Sequence, residues 1–247
     1  MKTLNKVGLF LSTVLAVSVL SVQDANAQRR FGGGRGLSGD MALGIGISTV
    51  SADQDDLNGA IDDAVNASAT NAKNLGSALE IYANWSYRFS GTMYAFVFRP
   101  SYFMQKTDGS NSYKYELTGY TVFPIFRLYP LENSFIKFYM QTGLGYGSLN
   151  GSITAGANNL DFKGSAFGAM GGIGAEFCFT DTHCLTVEGN MRYMPIERNV
   201  STGGNCTGGT IPGISQCGDG SEVERGNSDL RTTMSGVQGL IGYTMNF

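Results

Sequence analysis

Nine charged residues, Glu80, Arg88, Arg99, Lys114, Glu116, Lys137, Glu176, Glu188 and Arg192, stand in stretches where every second side chain is apolar. If that file faces a closed interior, its carboxylates and cations must pair, because an unpaired buried charge costs several kcal/mol. The chemistry on offer is then a salt-bridged lumen network, or, where the interior conducts, gating by Arg88, Arg99, Glu116, Lys137, Glu176, Glu188 and Arg192. Nucleophilic catalysis has less to work with. His183 is the only histidine; it stands beside Cys184 in a tight turn, where a solvated turn residue is expected. The acidic run Asp53, Asp55, Asp56, Asp62 and Asp63 misses the calcium-loop pattern, since Leu57 takes a ligand position and Asn58 the place of the turn glycine. It reads as a solvated, mobile loop. No ligand set joins His183 to the cysteines, so neither metal nor cofactor is expected. Cys178 with Cys184 and Cys206 with Cys217 form two neighbouring pairs. Two disulfides are expected in an exported chain, although four cysteines permit three connectivities.

The export signal comes first in the chain. Two lysines in the first six residues, an apolar run to Val22 and Ala25-Asn26-Ala27 have the layout of a secretory signal peptide over residues 1–27, cut after Ala27. Residues 28–39 are glycine-rich and basic, a flexible periplasmic leader. No later apolar run is long enough for a transmembrane helix, so any membrane span over residues 40–247 must be made of strands. The 35 glycines, 12 Tyr and 15 Phe suit such a chain, and the net charge of −3 points to no nucleic acid.

Period-two alternation predicts eight strands, at about 40–49, 78–89, 92–104, 113–128, 135–149, 162–179, 184–196 and from 231 onward. In the second, Leu79, Ile81, Ala83, Trp85 and Tyr87 oppose Glu80, Tyr82, Asn84, Ser86 and Arg88. In the fourth, Tyr113, Tyr115, Leu117, Thr121 and Phe123 are read as the outer row, with Lys114, Glu116, Thr118 and Tyr120 inside; Pro124 suggests a bulge. Residues 150–161 and 197–230 read as loops. Leu57, Ile61, Ala64 and Val65 have helical spacing, so a short amphipathic helix is expected between the first two strands. Connections alternate long and short, as in barrels with extracellular loops and periplasmic turns. A soluble lipocalin-like barrel would need the charged row outside, and its core would be far too aromatic.

The last strand places Ile241, Tyr243, Met245 and Phe247 on one face and Gly242, Thr244 and Asn246 on the other. It resembles the C-terminal strand of bacterial outer-membrane β-barrels, which ends in Phe and is read by the barrel-assembly machinery; Ile241 departs from the polar residue usual there. The resemblance makes Tyr243, Met245 and Phe247 the C-terminal assembly signal. Over residues 40–247 the pattern is similar to the OmpA and OmpX class. That resemblance implies an all-β, eight-stranded antiparallel up-and-down transmembrane β-barrel with short periplasmic turns and long extracellular loops. It further implies a monomer in the outer membrane of a Gram-negative-type cell, surrounded by outer-membrane lipids and lipopolysaccharide. A peptidoglycan-binding module of the OmpA kind is not expected after the last strand. The class includes anchors, adhesins, narrow channels and a few lipid-modifying enzymes. Here the first expectation is a non-enzymatic structural or surface-interaction protein that meets an extracellular ligand or surface through its first and fourth loops. A narrow porin-like channel for ions or small solutes comes second. A lipid-modifying enzyme comes last, since His183 lies at the wrong end for outer-leaflet chemistry.

Overall fold

The computed structural model describes residues 40–67 and 69–247. The expected signal peptide and leader lie outside them. Eight long strands follow in order: β1 (Asp40–Val50), β2 (Ala78–Arg88), β3 (Tyr94–Asp108), β4 (Lys114–Glu132), β5 (Ile136–Ala155), β6 (Asn158–Cys178), β7 (His183–Tyr193) and β8 (Gly236–Asn246). Each runs antiparallel to its neighbour, and β8 pairs with β1 from Ala42↔Asn246 to Val50↔Gln238, closing the sheet. Closure leaves no sheet edge exposed along these rows. The expected eight-stranded antiparallel barrel is therefore the fold.

Inward glycines make room for large lumen side chains. A Cβ at Gly174 would strike the Tyr139 ring, and one at Gly145 the Phe123 ring. Outside, the apolar row has a sharp upper limit. On β5 it runs through Phe138, Met140, Thr142, Leu144 and Tyr146, then changes to Ser148, Asn150, Ser152 and Thr154. On β6 the change comes at Phe167, which pairs with Tyr146 in register, the two ring centroids 5.4 Å apart. From Ile136 to Tyr146, about ten residues of tilted strand give an apolar band roughly 25 Å tall. Among the described residues, no helix is long and apolar enough to cross a membrane.

β4, β5 and β6 are 19, 20 and 21 residues long and continue well past that limit. Here the structure corrects the sequence reading. Residues 150–161 are not a loop but the end of one hairpin, turning at Gly156 with φ +63°. The alternation of buried Leu149, Ile153 and Ala155 with the partly exposed polar row Ser148 to Thr154 carries β5 upward, and buried Leu160 and Phe162 do the same on β6. β3 and β4 likewise meet in a tight turn, with Asn111 and Ser112 at φ 55° and 61°. Long and short connections therefore alternate only at the first and last loops.

The overhanging strands, the first loop and the last loop enclose a second core. Helix α1 (Asp55–Asn66) buries Leu57, Ala60, Ile61 and Ala64, as its spacing requires, while Val65 stays exposed. The expected mobile acidic loop is thus largely a helix. From the last loop, residues 200–204 pair with the upper edge of β6, and Ile211, Ile214, Val223 and Leu230 are buried with Phe103, Tyr115, Leu117 and Phe162. We call this region the dome.

β4 also reverses the predicted facing. Register pairs Arg99 with Phe123 and Gln141 with Arg127, so Phe123 and Arg127 share the inner face with Arg99 and Gln141. Tyr115, Leu117, Phe123 and Ile125 are buried, and Lys114 and Tyr120 face out. Apolar residues occupy both rows of β4, outward against the band and inward against the dome core. The apolar row alone does not identify the outer face.

Candidate functional site in the lumen and dome

Two charged layers cross the lumen. The one nearer the short turns centres on Glu188. Its carboxylate accepts hydrogen bonds from Arg99 Nη2 at 2.7 Å, Arg127 Nη2 at 3.0 Å, Tyr139 Oη at 2.7 Å, Gln141 Nε2 at 2.8 Å and Asn190 Nδ2 at 3.2 Å. Glu176 accepts from Arg127 Nη1 at 3.1 Å and Tyr129 Oη at 3.0 Å. Arg127 lies 3.9 Å over the Tyr139 ring, and Arg99 donates through Nε to Asn84 Oδ1 at 2.7 Å. The second layer centres on Glu80, which accepts from Arg192 Nη1 at 2.7 Å, Ser48 and Ser101 at 3.3 Å, and Gln238. Arg192 Nε also donates to the Met234 carbonyl at 2.6 Å. Three arginines thus meet three glutamates, all buried. Such pairs hold only when their remaining donors and acceptors are largely bonded, which binds β2, β3, β4, β5, β6 and β7 across the interior.

Of the nine charges read from the sequence, Glu80, Arg99, Glu176, Glu188 and Arg192 form these layers. Arg88 faces inward at the turn-side rim and grips Glu132 with two bonds of 2.6 and 2.5 Å. Lys137 is half-buried on the same rim, in register with Glu132 and Glu176. Lys114 and Glu116 do not belong to the lumen. They sit on the outer face of β4 above the band, 2.5 Å from each other, and the hydrogen bond to Glu116 holds the Lys114 ammonium above its ordinary pKa. Arg127 joins the lumen charges only once β4 takes the inner face that its register with Gln141 requires. A lone charge on the row of Tyr115 to Ile125 was the signal for it.

Both expected disulfides are present, Cys178–Cys184 and Cys206–Cys217. Glu176, Cys178 and Cys184 lie close together, but the two sulfurs are bonded to each other and are not free thiolates. His183, expected as a solvated turn residue, keeps part of its surface exposed but has a partner. It is half-buried and stacks on Tyr243 at 5.8 Å, with Nδ1 bonded to the Tyr243 hydroxyl. The acids of the first loop also have partners: Asp63 meets Arg225 at 3.1 Å, Asp56 accepts the Arg231 N–H at 2.8 Å and Asp53 accepts from Asn58 at 3.2 Å. The first two of these contacts tie α1 to the last loop. On the outer wall, a shallow 440 Å³ depression lies among Met140, Gly171, Ile173, Gly189, Met191 and Val237.

No protein-family model matches this sequence, and no curated protein does. Solved structures do. The outer-membrane protein OprG of Pseudomonas aeruginosa superposes with a TM-score of 0.54 at 13% identity, over 85% of this chain and 96% of that one. Ail, the attachment invasion locus protein of Yersinia pestis, crystallised with the heparin analogue sucrose octasulfate, matches with a TM-score of 0.40 at 11% identity over 85% and 99% of the two chains. Neisserial surface protein A gives 0.39 at 10% identity over 84% and 94%. The last two likenesses are too distant to carry an argument. Closed β1-to-β8 pairing together with the OprG superposition shows that the chain has the fold of the small eight-stranded outer-membrane β-barrels.

Proposed function

We propose that this protein spans the outer membrane as a plugged barrel and works at the cell surface through its dome, as a non-enzymatic interaction protein. The observation that carries this reading is the overhang. β4, β5 and β6 leave the apolar band at Tyr120, Tyr146 and Phe167 and go on to build a separate buried core with α1 and the disulfide-tied last loop. A barrel serving only as an anchor needs no such structure. The short turns face the periplasm and the dome faces outward, following the usual placement in this architecture. Above the band acidic side chains outnumber basic ones roughly two to one, so the dome suits a cationic partner surface or ligand better than an anionic one. Lipopolysaccharide and outer-membrane lipids would meet the band, the barrel-assembly machinery would read Tyr243, Met245 and Phe247, and the functional unit is a monomer.

The test joins two assays on refolded protein whose barrel is verified by a heat-dependent gel shift. In planar bilayers the wild type should be silent. Binding to cationic and anionic surfaces, compared before and after replacing residues 200–230 with a short linker, should show a preference for the cationic surface that disappears with the dome. Steady conductance, altered by Glu188→Gln or Arg127→Gln, would instead make the lumen a narrow channel and sink the proposal.

A further inference from the structure

The turn between β6 and β7 is tied more firmly than a connection requires. Cys178 and Cys184 form the last register pair of the β6–β7 ladder and are joined by a disulfide across a separation of 6 residues. Within the turn, Thr180 Oγ1 accepts the backbone N–H groups of Thr182 and His183 at 3.3 and 3.1 Å, and Phe179 N donates to the His183 carbonyl at 2.9 Å. On one side Cys178 N donates to the Phe135 carbonyl next to β5 at 2.7 Å. On the other side lies the end of β8. Thr244 is in register with Cys184, Asn246 N donates to the Thr182 carbonyl at 2.8 Å, and Asn246 Nδ2 donates to Cys184 Sγ at 3.3 Å. Tyr243 stacks on His183 and bonds to it. The closing strand therefore ends on the oxidised turn itself.

β8 has two neighbours to find. β7 is close in the chain, while β1 is about 190 residues away, so the loop closed by β1–β8 pairing carries much the larger entropic cost. Docking on β7 is the cheaper first step, and the turn is where the last residues of β8 must land.

We propose that oxidation of Cys178 and Cys184 is a redox gate on barrel closure, in which the disulfide fixes the β6–β7 turn as the seat for Tyr243, Thr244 and Asn246. The two thiols form one S–S bond and pass two electrons and two protons to a disulfide-bearing thiol oxidant, which leaves as its dithiol. Removing the chain entropy of a loop this short shifts the open-to-closed balance of the hairpin by about tens of fold. The proposal concerns the fold alone and stands or falls apart from the role of the dome.

The experiment refolds the full-length mature chain from urea into lipid vesicles and times closure by the heat-dependent gel shift, with the unfolding rate of the closed form measured separately. Oxidised wild type is compared with C178S/C184S, with C206S/C217S and with Asn246→Ala. Closure should slow at least tenfold in C178S/C184S and a few-fold in Asn246→Ala, stay within twofold in C206S/C217S, and leave unfolding within twofold throughout. Unchanged closure with faster unfolding would assign the disulfide to stability alone and overturn the gate. If C178S/C184S does not fold at all, C206S/C217S is refolded under reductant and oxidant is added in mid-reaction. Closure must then resume; a reaction that stays stalled also overturns the proposal.

Discussion

Glu188→Gln puts the lumen network to its hardest test. Glu188 is shared by Arg99 and Arg127, and only Arg127 has a second carboxylate, Glu176, within reach. Neutralising Glu188 keeps the side-chain volume but leaves Arg99 without a counter-ion, although Asn84 and the Tyr82 ring, 5.1 Å away, still touch it. Removing one partner of a buried ion pair costs about 3–5 kcal/mol. The folding equilibrium should thus shift by a factor between about a hundred and a few thousand, since about 1.4 kcal/mol is a factor of ten. With a urea slope of about 2 kcal/mol/M, the midpoint falls by about 2 M. The assay is urea unfolding in lipid vesicles followed by the fluorescence of Trp85, the single tryptophan, which faces the apolar band. The double variant Arg99→Gln/Glu188→Gln restores the balance of charge and should be less destabilised than the sum of its singles by at least about 1.5 kcal/mol. A loss under about 1 kcal/mol in Glu188→Gln, or plain additivity in the double variant, would refute the idea that paired charges hold the lumen closed.

Three further outcomes follow from the same structure. Exchanging Lys114 and Glu116 should change stability by less than about 1 kcal/mol in the urea assay, since their exposed outer-face pair is screened by water. Ile61→Ala should loosen the dome by about 2–4 kcal/mol, seen as faster proteolysis of the first and last loops while the heat-dependent gel shift persists, because Ile61 is fully buried under α1 and outside the band. Gly189→Leu should fold normally and Gly172→Leu should not, judged by the gel shift, since a Cβ at Gly189 meets open space on the outer wall while one at Gly172 runs into Asn190 and the Gly189 carbonyl.

The barrel was legible because its alternation survives wherever one face meets the apolar band and the other a polar lumen, as in Leu79 to Tyr87 against Glu80 to Arg88. It failed where a strand passes from band to dome. On β4 the inner residues Tyr115 and Leu117 are as apolar as the outer Val122 and Phe126, because they serve the second core. Cross-strand register was the missing constraint, for once Arg99 is placed inside, its partner Phe123 must follow. The disulfide pairs were readable from proximity in sequence. The dome was not: Ile211, Ile214, Val223 and Leu230 have no local period, and their burial depends on α1 and the β5–β6 hairpin far away in the chain. The stack of His183 on Tyr243 was hidden for the same reason, as only the pairing of β8 with β7 across the last loop brings the two together.

The filled lumen and the folded dome together dictate an order of delivery. Nothing as wide as α1 docked on the last loop fits through an interior already occupied by Tyr139, Arg127 and Glu188. In the proposed orientation the dome segments therefore travel as unfolded chain while the wall between β1 and β8 is still open, and fold only on the far side. Final zipping of β8 onto β1 then comes after the dome segments have passed, and a return through the wall requires the dome to unfold first.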